Sequence, residues 1–288
     1  MLPMRERAPA KINLSLLVRG RRGDGFHDLQ SLVVFADCGD VLRGELAPAL
    51  ALDVTGPFAG ALGDKSNNLV LRAATALGDC LGRKRGARLT LEKNLPVASG
   101  IGGGSADAAA ALRLLAKLWE ASVEPEVLAS LALRLGADVP VCLDSRPALM
   151  WGIGDLVVRT DALPPFWLVL ANPGIAVSTA QVFKVLNASP LDELGIGPKL
   201  PAMTGLDALI SWLTAHGNDL EAPAQKLAPV IADVIAAIGK TKGCRLTRMS
   251  GSGATCFGIY AGEAEARAAE AELKAKQPRW WIAAANRL

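Results

Sequence analysis

The chain has 288 residues, 51% of them apolar and 20% charged, with 31 Lys plus Arg against 28 Asp plus Glu. This composition excludes a mainly disordered chain and gives no sign of a nucleic-acid binder or polybasic membrane binder. Its length predicts about two domains, long enough to bury a core without disulfides or structural metal. Only two histidines are present, His27 and His216, which excludes a His-rich metal centre or a multi-histidine proton relay. The five cysteines (Cys38, Cys80, Cys142, Cys244, Cys256) contain no CxxC pair, so they read as small buried hydrophobes of a reducing cytosol. No apolar stretch approaches the length of a membrane span, and no signal-like apolar core follows Arg5 and Arg7. The expectation is a soluble, cytoplasmic protein.

In chain order, β-branched and alternating runs predict strands near Ile12–Val18, Leu32–Ala36, Val41–Glu45 and Arg88–Leu91, with a turn at Gly23-Asp24-Gly25. Asn68 is an N-cap candidate for a helix running to about Gly82, with Leu69, Ala73, Ala76 and Leu77 on one face. A second helix starts near Ser105, where Leu112, Leu115 and Trp119 form a core stripe, and a third spans Pro125–Leu135. Asp161–Pro165 is the best candidate boundary, giving domains 1–160 and 161–288. Beyond it the pattern predicts a strand at Trp167–Leu170 and helices at Thr179–Leu186, Leu206–Thr214 and Ala224–Ile238. A strand at Cys256–Tyr260, a helix at Glu263–Lys276 and a strand at Trp280–Ala284, with its two tryptophans on opposite faces, complete an α+β second half.

Chemistry concentrates in two glycine loops. Pro96-Val97-Ala98-Ser99-Gly100-Ile101-Gly102-Gly103-Gly104-Ser105-Ala106 follows a strand and opens a helix. Missing Cβ atoms and permitted positive φ let successive N–H groups face one anion, with Ser105 as a cap and the helix dipole adding to the attraction. The pattern is neither a Walker A loop nor a dinucleotide fingerprint. Taken alone it fits a phosphate cradle or a structurally required tight turn. Met249-Ser250-Gly251-Ser252-Gly253-Ala254-Thr255 precedes a strand and alone fits a hairpin turn equally well; two such loops favour a site shared between domains. Lys11 opens an apolar strand and Asp138 follows a helix end. Each alone is more often a solvated strand-end or turn residue, but together they suit a carboxylate base with a cationic partner. His27, beside Phe26, is either structural or a ligand reader.

The segments Pro9-Ala-Lys-Ile-Asn-Leu14, Arg22-Gly-Asp-Gly-Phe-His27, Leu95 to Ala109, Gly136-Ala-Asp-Val-Pro140 and Met249 to Ala254 together resemble the GHMP kinase superfamily. The resemblance covers nearly the whole chain. The segments Arg22 to His27 and Gly136 to Pro140 narrow the resemblance to a branch that phosphorylates a cytidyl-diphosphate sugar alcohol on the non-mevalonate route to isoprenoids. It implies an N-terminal α/β domain with a left-handed βαβ unit, like domain 2 of ribosomal protein S5, and a C-terminal ferredoxin-like domain. It implies Asp138 as catalytic base with Lys11 as its partner, and ATP on residues Pro96 to Ala106 with Asn68 near the adenine. Asn13, Phe26, His27, Phe183, Gly251, Ser252 and Gly253 would serve the acceptor, Phe26 and Phe183 flanking the cytosine that His27 reads. ATP with Mg²⁺ would be the co-substrate. The metal ligands stay open, with Ser105 and Asp107 as candidates, Asp107 alternatively complementing the helix dipole. No nucleic-acid, membrane or obligate protein partner is implied. One departure stands out: Phe26 occupies a position that is usually tyrosine in this branch, which keeps the ring and loses the hydroxyl.

Overall fold

A computed structural model describes residues 3–63, 67–82, 85–161, 163–191, 197 and 199–288. The strands are β1 (Met4–Arg21), β2 (His27–Leu46), β3 (Leu50–Thr55), β4 (Ala87–Glu92), β5 (Ala148–Gly152), β6 (Leu156–Arg159), β7 (Trp167–Asn172), β8 (Leu246–Met249), β9 (Cys256–Tyr260) and β10 (Trp281–Asn286). The helices are α1 (Leu69–Cys80), α2 (Gly103–Leu118), α3 (Pro125–Leu135), α4 (Val139–Cys142), α5 (Thr179–Leu186), α6 (Leu206–Ala215), α7 (Glu221–Leu227), α8 (Val230–Gly239) and α9 (Glu263–Lys276).

These elements pack into two compact units, each discontinuous in sequence. The first comprises Met1–Ala10, Gly39–Val97 and Gly102–Ser145; the second comprises Lys11–Cys38, Ala98–Ile101 and Arg146–Leu288. Ala162, inside the expected linker, lies outside the described residues.

In the first unit β4 pairs antiparallel with the C-terminal part of β2 and parallel with β3, so β3-α1-β4 is the expected βαβ unit. Asn68 caps α1 as expected, its side chain accepting from the Val70 N–H at 2.9 Å. The buried face of α1 is Val70, Ala73, Ala74 and Leu77, one position round from the expected Leu69, Ala76 edge. Helix α2 packs against α1, α3 and α4. Its run Ala106 to Leu112 is buried throughout, which requires small side chains on nearly every face. The expected stripe of Leu112, Leu115 and Trp119 is core.

In the second unit the N-terminal part of β2 pairs antiparallel with β5, and β5 with β6. A separate antiparallel sheet has the order β10-β7-β9-β8, with α8 and α9 packed on it. Four strands in that order, with α9 linking the last two in sequence, make the expected ferredoxin-like arrangement. Three expectations change here. Pro229 cannot continue a helix, so Ala224–Ile238 is two helices, α7 and α8, with Pro229 as the N-cap of the second. Leu32–Ala36 and Val41–Glu45 are one continuous strand, β2. Strand β10 begins at Trp281, so Trp280 ends a turn and packs half-buried on the core. The cysteines also diverge from the expected uniform burial: Cys142 and Cys256 are buried, whereas Cys80 is exposed.

Candidate active site

The glycine loop leads from β4 into α2. Ala98 (φ 51°), Gly100 (φ 77°) and Gly102 (φ 63°) are in the left-handed region. Gly102, not Ser105, is the N-cap, because the left-handed glycine starts the helix earlier and leaves Ser105 inside the first turn. A glycine cap supplies no side-chain acceptor, so the leading N–H groups keep their capacity for an anion at the positive end of the helix dipole. Gly103 and Gly104 have ordinary helical backbone. A Cβ on them would come no closer than 3.6 Å and 3.4 Å to a neighbour. Neither φ nor packing therefore demands glycine there. Gly104 is exposed, and the atom missing there leaves the helix mouth open, which fits a phosphate group, whereas the Cβ missing from Gly103 would face buried side chains. The nearest neighbour of Gly104 is Leu69, so the start of α1, with its cap Asn68, adjoins the same mouth.

In the second unit the second glycine loop is built against Gly100. A Cβ on Gly100 would lie 2.4 Å from the Ser250 carbonyl oxygen and 2.7 Å from the Gly253 nitrogen, so only glycine permits the approach. The Ser250 hydroxyl donates to the Gly100 carbonyl at 3.0 Å and accepts the Asn13 N–H at 3.1 Å. The Thr255 N–H donates to the Ser99 carbonyl at 3.1 Å. Asn218 donates to the carbonyls of Met249 and Gly251, both at 2.8 Å, and so holds the loop from behind. The Ser252 hydroxyl pairs with that of Thr179 at 2.7 Å, while Gly251 (φ 54°) and Gly253 (φ 87°) supply the turns. Ser250, Asn218 and Thr179 were not among the expected site residues. Ser250 carried a signal in its loop, whereas Asn218 and Thr179 carried none.

Lys11 is buried in the middle of β1, not at its start, and its N–H donates to the Ile101 carbonyl at 2.9 Å. Asn13 is buried two residues on and donates to the Ser31 hydroxyl at 2.8 Å. In the first unit the half-buried Asp138 is the N-cap of the four-residue α4. Arg113 of α2 donates to the carbonyls of Cys142 and Leu143 at the other end of α4, at 2.9 and 3.1 Å. Glu6 holds the same guanidinium at 3.0 Å and Lys117 at 2.6 Å. Burial raises the Glu6 pKa, but hydrogen bonds from Lys117 and Arg113 outweigh it and leave the carboxyl below its ordinary value.

Beneath Gly103 lies a buried ionic triad unforeseen from sequence. Lys93 is ion-paired with Asp40 and with Asp107, the latter at 2.7 Å. All three are at most 3% exposed. The other Asp40 oxygen accepts the N–H groups of Asn94 and Leu95 at 2.6 and 2.9 Å. Burial pushes the Asp107 carboxyl up, Lys93 pulls it back and Asp40 adds to the rise. Asp107 sits in the second turn of α2, past the first-turn N–H groups, and its Oδ2 is taken by Lys93.

His27 stacks on Phe183 with ring centroids 4.4 Å apart and planes at 23°. Burial and the neighbouring Arg21 charge hold its pKa below the ordinary value. Phe26, at the hairpin tip, is 58% exposed. The ring facing Phe183 is thus His27, not Phe26.

The chain matches the family described as GHMP kinases N terminal domain over residues 68–146 and GHMP kinases C terminal over residues 200–279. It is 58% identical to the 4-diphosphocytidyl-2-C-methyl-D-erythritol kinase of Parvibaculum lavamentivorans, covering 97% of each chain. A protein of the same name from Cereibacter sphaeroides is 55% identical over 96% of each. Among solved structures, a 4-(cytidine 5'-diphospho)-2C-methyl-D-erythritol kinase aligns over 99% of both chains at 36% identity with a TM-score of 0.79. A homoserine kinase from Cytophaga hutchinsonii, 20% identical with a TM-score of 0.69 over 100% of this chain and 95% of its own, shares the fold.

Proposed function

Because the chain belongs to the GHMP kinases, in the branch of the 4-diphosphocytidyl-2-C-methyl-D-erythritol kinases, we propose that it moves the ATP γ-phosphoryl group to the 2-hydroxyl of 4-diphosphocytidyl-2-C-methyl-D-erythritol. The observation that carries this reading is 58% identity across 97% of both chains to a kinase of that name. The open glycine mouth of α2 supports the phosphate half of it.

In this mechanism Asp138 accepts the proton of the acceptor hydroxyl, and Lys11 is its cationic partner, offsetting charge as the alkoxide forms. Proton transfer and phosphoryl transfer leave ADP and the 2-phosphate as products. The backbone N–H groups of the loop from Pro96 to Ala106 hold the phosphates, with Asn68 and the start of α1 on the nucleoside side. Asn13, Phe26, His27, Phe183 and the residues Gly251, Ser252 and Gly253 bind the acceptor. Mg²⁺, when bound, would neutralise charge on the phosphate oxygens, with the Ser105 hydroxyl in the first turn of α2 and the Asp107 carboxylate as the candidates to hold it. Residues 1–160 and 161–288 are the corresponding N- and C-terminal domains in sequence. No helix among the described residues is long and apolar enough to cross a membrane.

A coupled ADP-release assay offering the cytidyl acceptor, homoserine and mevalonate side by side tests the assignment. Turnover is expected with the cytidyl acceptor alone. Comparable turnover with homoserine or mevalonate would overturn the specificity, and ATP binding without turnover of any alcohol would overturn the enzyme.

A further inference from the structure

Two carboxylates and one ammonium, buried together, make a costly arrangement for a core that apolar side chains could fill. Asp107 Oδ1 adds to the cost, being buried with no hydrogen-bond partner among the described residues. The connections of the group run to the two ends of the phosphate loop. Asp40 accepts the N–H groups of Asn94 and Leu95, the residues that lead into Pro96. Asp107 lies on α2, four residues past Gly103, where the loop ends. Lys93 is bonded to both carboxylates. A Cβ on Gly103 would rest 3.6 Å from Lys93 Nζ and 3.7 Å from Asp40 Oδ2, so the triad is also the floor under the first residue of the helix.

We propose that Lys93 is a positioning residue for the phosphate loop, tying its beginning through Asp40 to its end through Asp107. The tie fixes the distance between the strand end and the helix mouth, and so the curvature of the glycines between them. Its positive charge also offsets the two carboxylates that would otherwise repel a polyphosphate bound above Gly103. Neither effect requires Lys93 to touch ATP. The proposal rests on reading the loop as the ATP site, and its test keeps the two apart.

The full-length chain is compared with Lys93→Met and with the charge-free triple variant K93M/D40N/D107N, measuring ATP affinity by calorimetry, acceptor KM, and Tm. Lys93→Met strands two buried carboxylates and is expected to lower Tm sharply. The triple variant removes the stranded charge, and the amide oxygen introduced by D40N still accepts the two backbone N–H groups, so Tm is expected to recover while the tie stays broken. ATP affinity in the triple variant is expected to fall at least about tenfold, the loss of about 1.4 kcal/mol of binding. Acceptor KM is expected to stay within about twofold, a split that a purely structural triad would not produce. A folded triple variant that binds ATP like the wild type overturns the proposal and leaves the kinase reading intact. A triple variant that does not fold also overturns it, because the triad then serves the core. A wild-type chain that does not bind ATP removes both.

Discussion

The glycines of the first loop divide into two kinds, and alanine substitution separates them. Gly100 has a φ of 77°, and its added Cβ would lie 2.4 Å from the Ser250 carbonyl oxygen, 2.7 Å from the Gly253 nitrogen and 2.8 Å from the Gly253 oxygen. Left-handed backbone costs an L-residue about 1–2 kcal/mol, and overpacking against backbone costs roughly 1–3 kcal/mol more. Gly100→Ala should therefore destabilise by roughly 2–5 kcal/mol, with Tm falling by several degrees at about 2–4 °C per kcal/mol. Gly104 is helical and exposed, and its added Cβ would meet Leu69 Cδ1 at 3.4 Å, an ordinary contact. Gly104→Ala removes unfolded-chain entropy and should stabilise by about 0.4–1 kcal/mol. Its methyl group, however, projects at the mouth of α2, so KM for ATP should rise. Scanning calorimetry and ADP-release kinetics on the two variants are expected to give opposite signs: Gly100→Ala loses stability, and Gly104→Ala gains stability while losing nucleotide affinity. A Gly104→Ala enzyme with wild-type KM for ATP would refute the argument that this glycine is kept for a ligand.

Asp138→Ala should lower kcat by at least about a hundredfold with ATP affinity retained, as loss of a general base does; near-normal kcat would remove Asp138 from the mechanism. Phe183→Ala should raise KM for the cytidyl acceptor about tenfold, since a base–aromatic stack contributes about 1–3 kcal/mol, and leave KM for ATP in place. An unchanged acceptor KM would point to an acceptor without a base. Glu6 binds a proton more weakly folded than unfolded, so its contribution is present above the unfolded value of 4.5 and is lost as pH falls through the lower folded value. Glu6→Gln should thus flatten the acid limb of a Tm-against-pH curve and leave the neutral region lower. An acid limb as steep as that of the wild type would show that Glu6 does not set it.

Several elements were legible because their ends carry local chemistry. Pro125 and Gly136 bracket α3, Ser178 caps α5 by accepting from Gln181, and α9 has Glu263 and Glu265 in its first turn with Lys274 and Lys276 in its last. The missed strands lack such marks. β3 alternates half-buried and exposed residues, and β8 carries Arg248 in its short run. That arginine is buried because it donates to the carbonyls of Leu14, Leu213 and His216, partners far away in sequence. The site shows the same division. The glycine loops are contiguous and announce themselves, whereas Asp40, Lys93 and Asp107 are charges separated in sequence that only the fold brings together in the core.

The discontinuity of the two units bears on whether the chain can be divided at all. A cut at residue 160 separates the gene into two plausible halves, yet it detaches Lys11–Cys38 from most of the unit it packs with. The Leu16 N–H would lose the Gly217 carbonyl, the Val18 N–H would lose Asp219, and the Phe35 carbonyl and the Asp37 side chain would lose the N–H groups of Leu288 and Asn286. A fragment of residues 1–160 should accordingly show no cooperative melt by circular dichroism, and a native-like transition would refute this. The two halves of this chain are modular as text and indivisible as objects, so recombination with a relative is expected to succeed only when β1 and the ferredoxin-like sheet are inherited from the same parent.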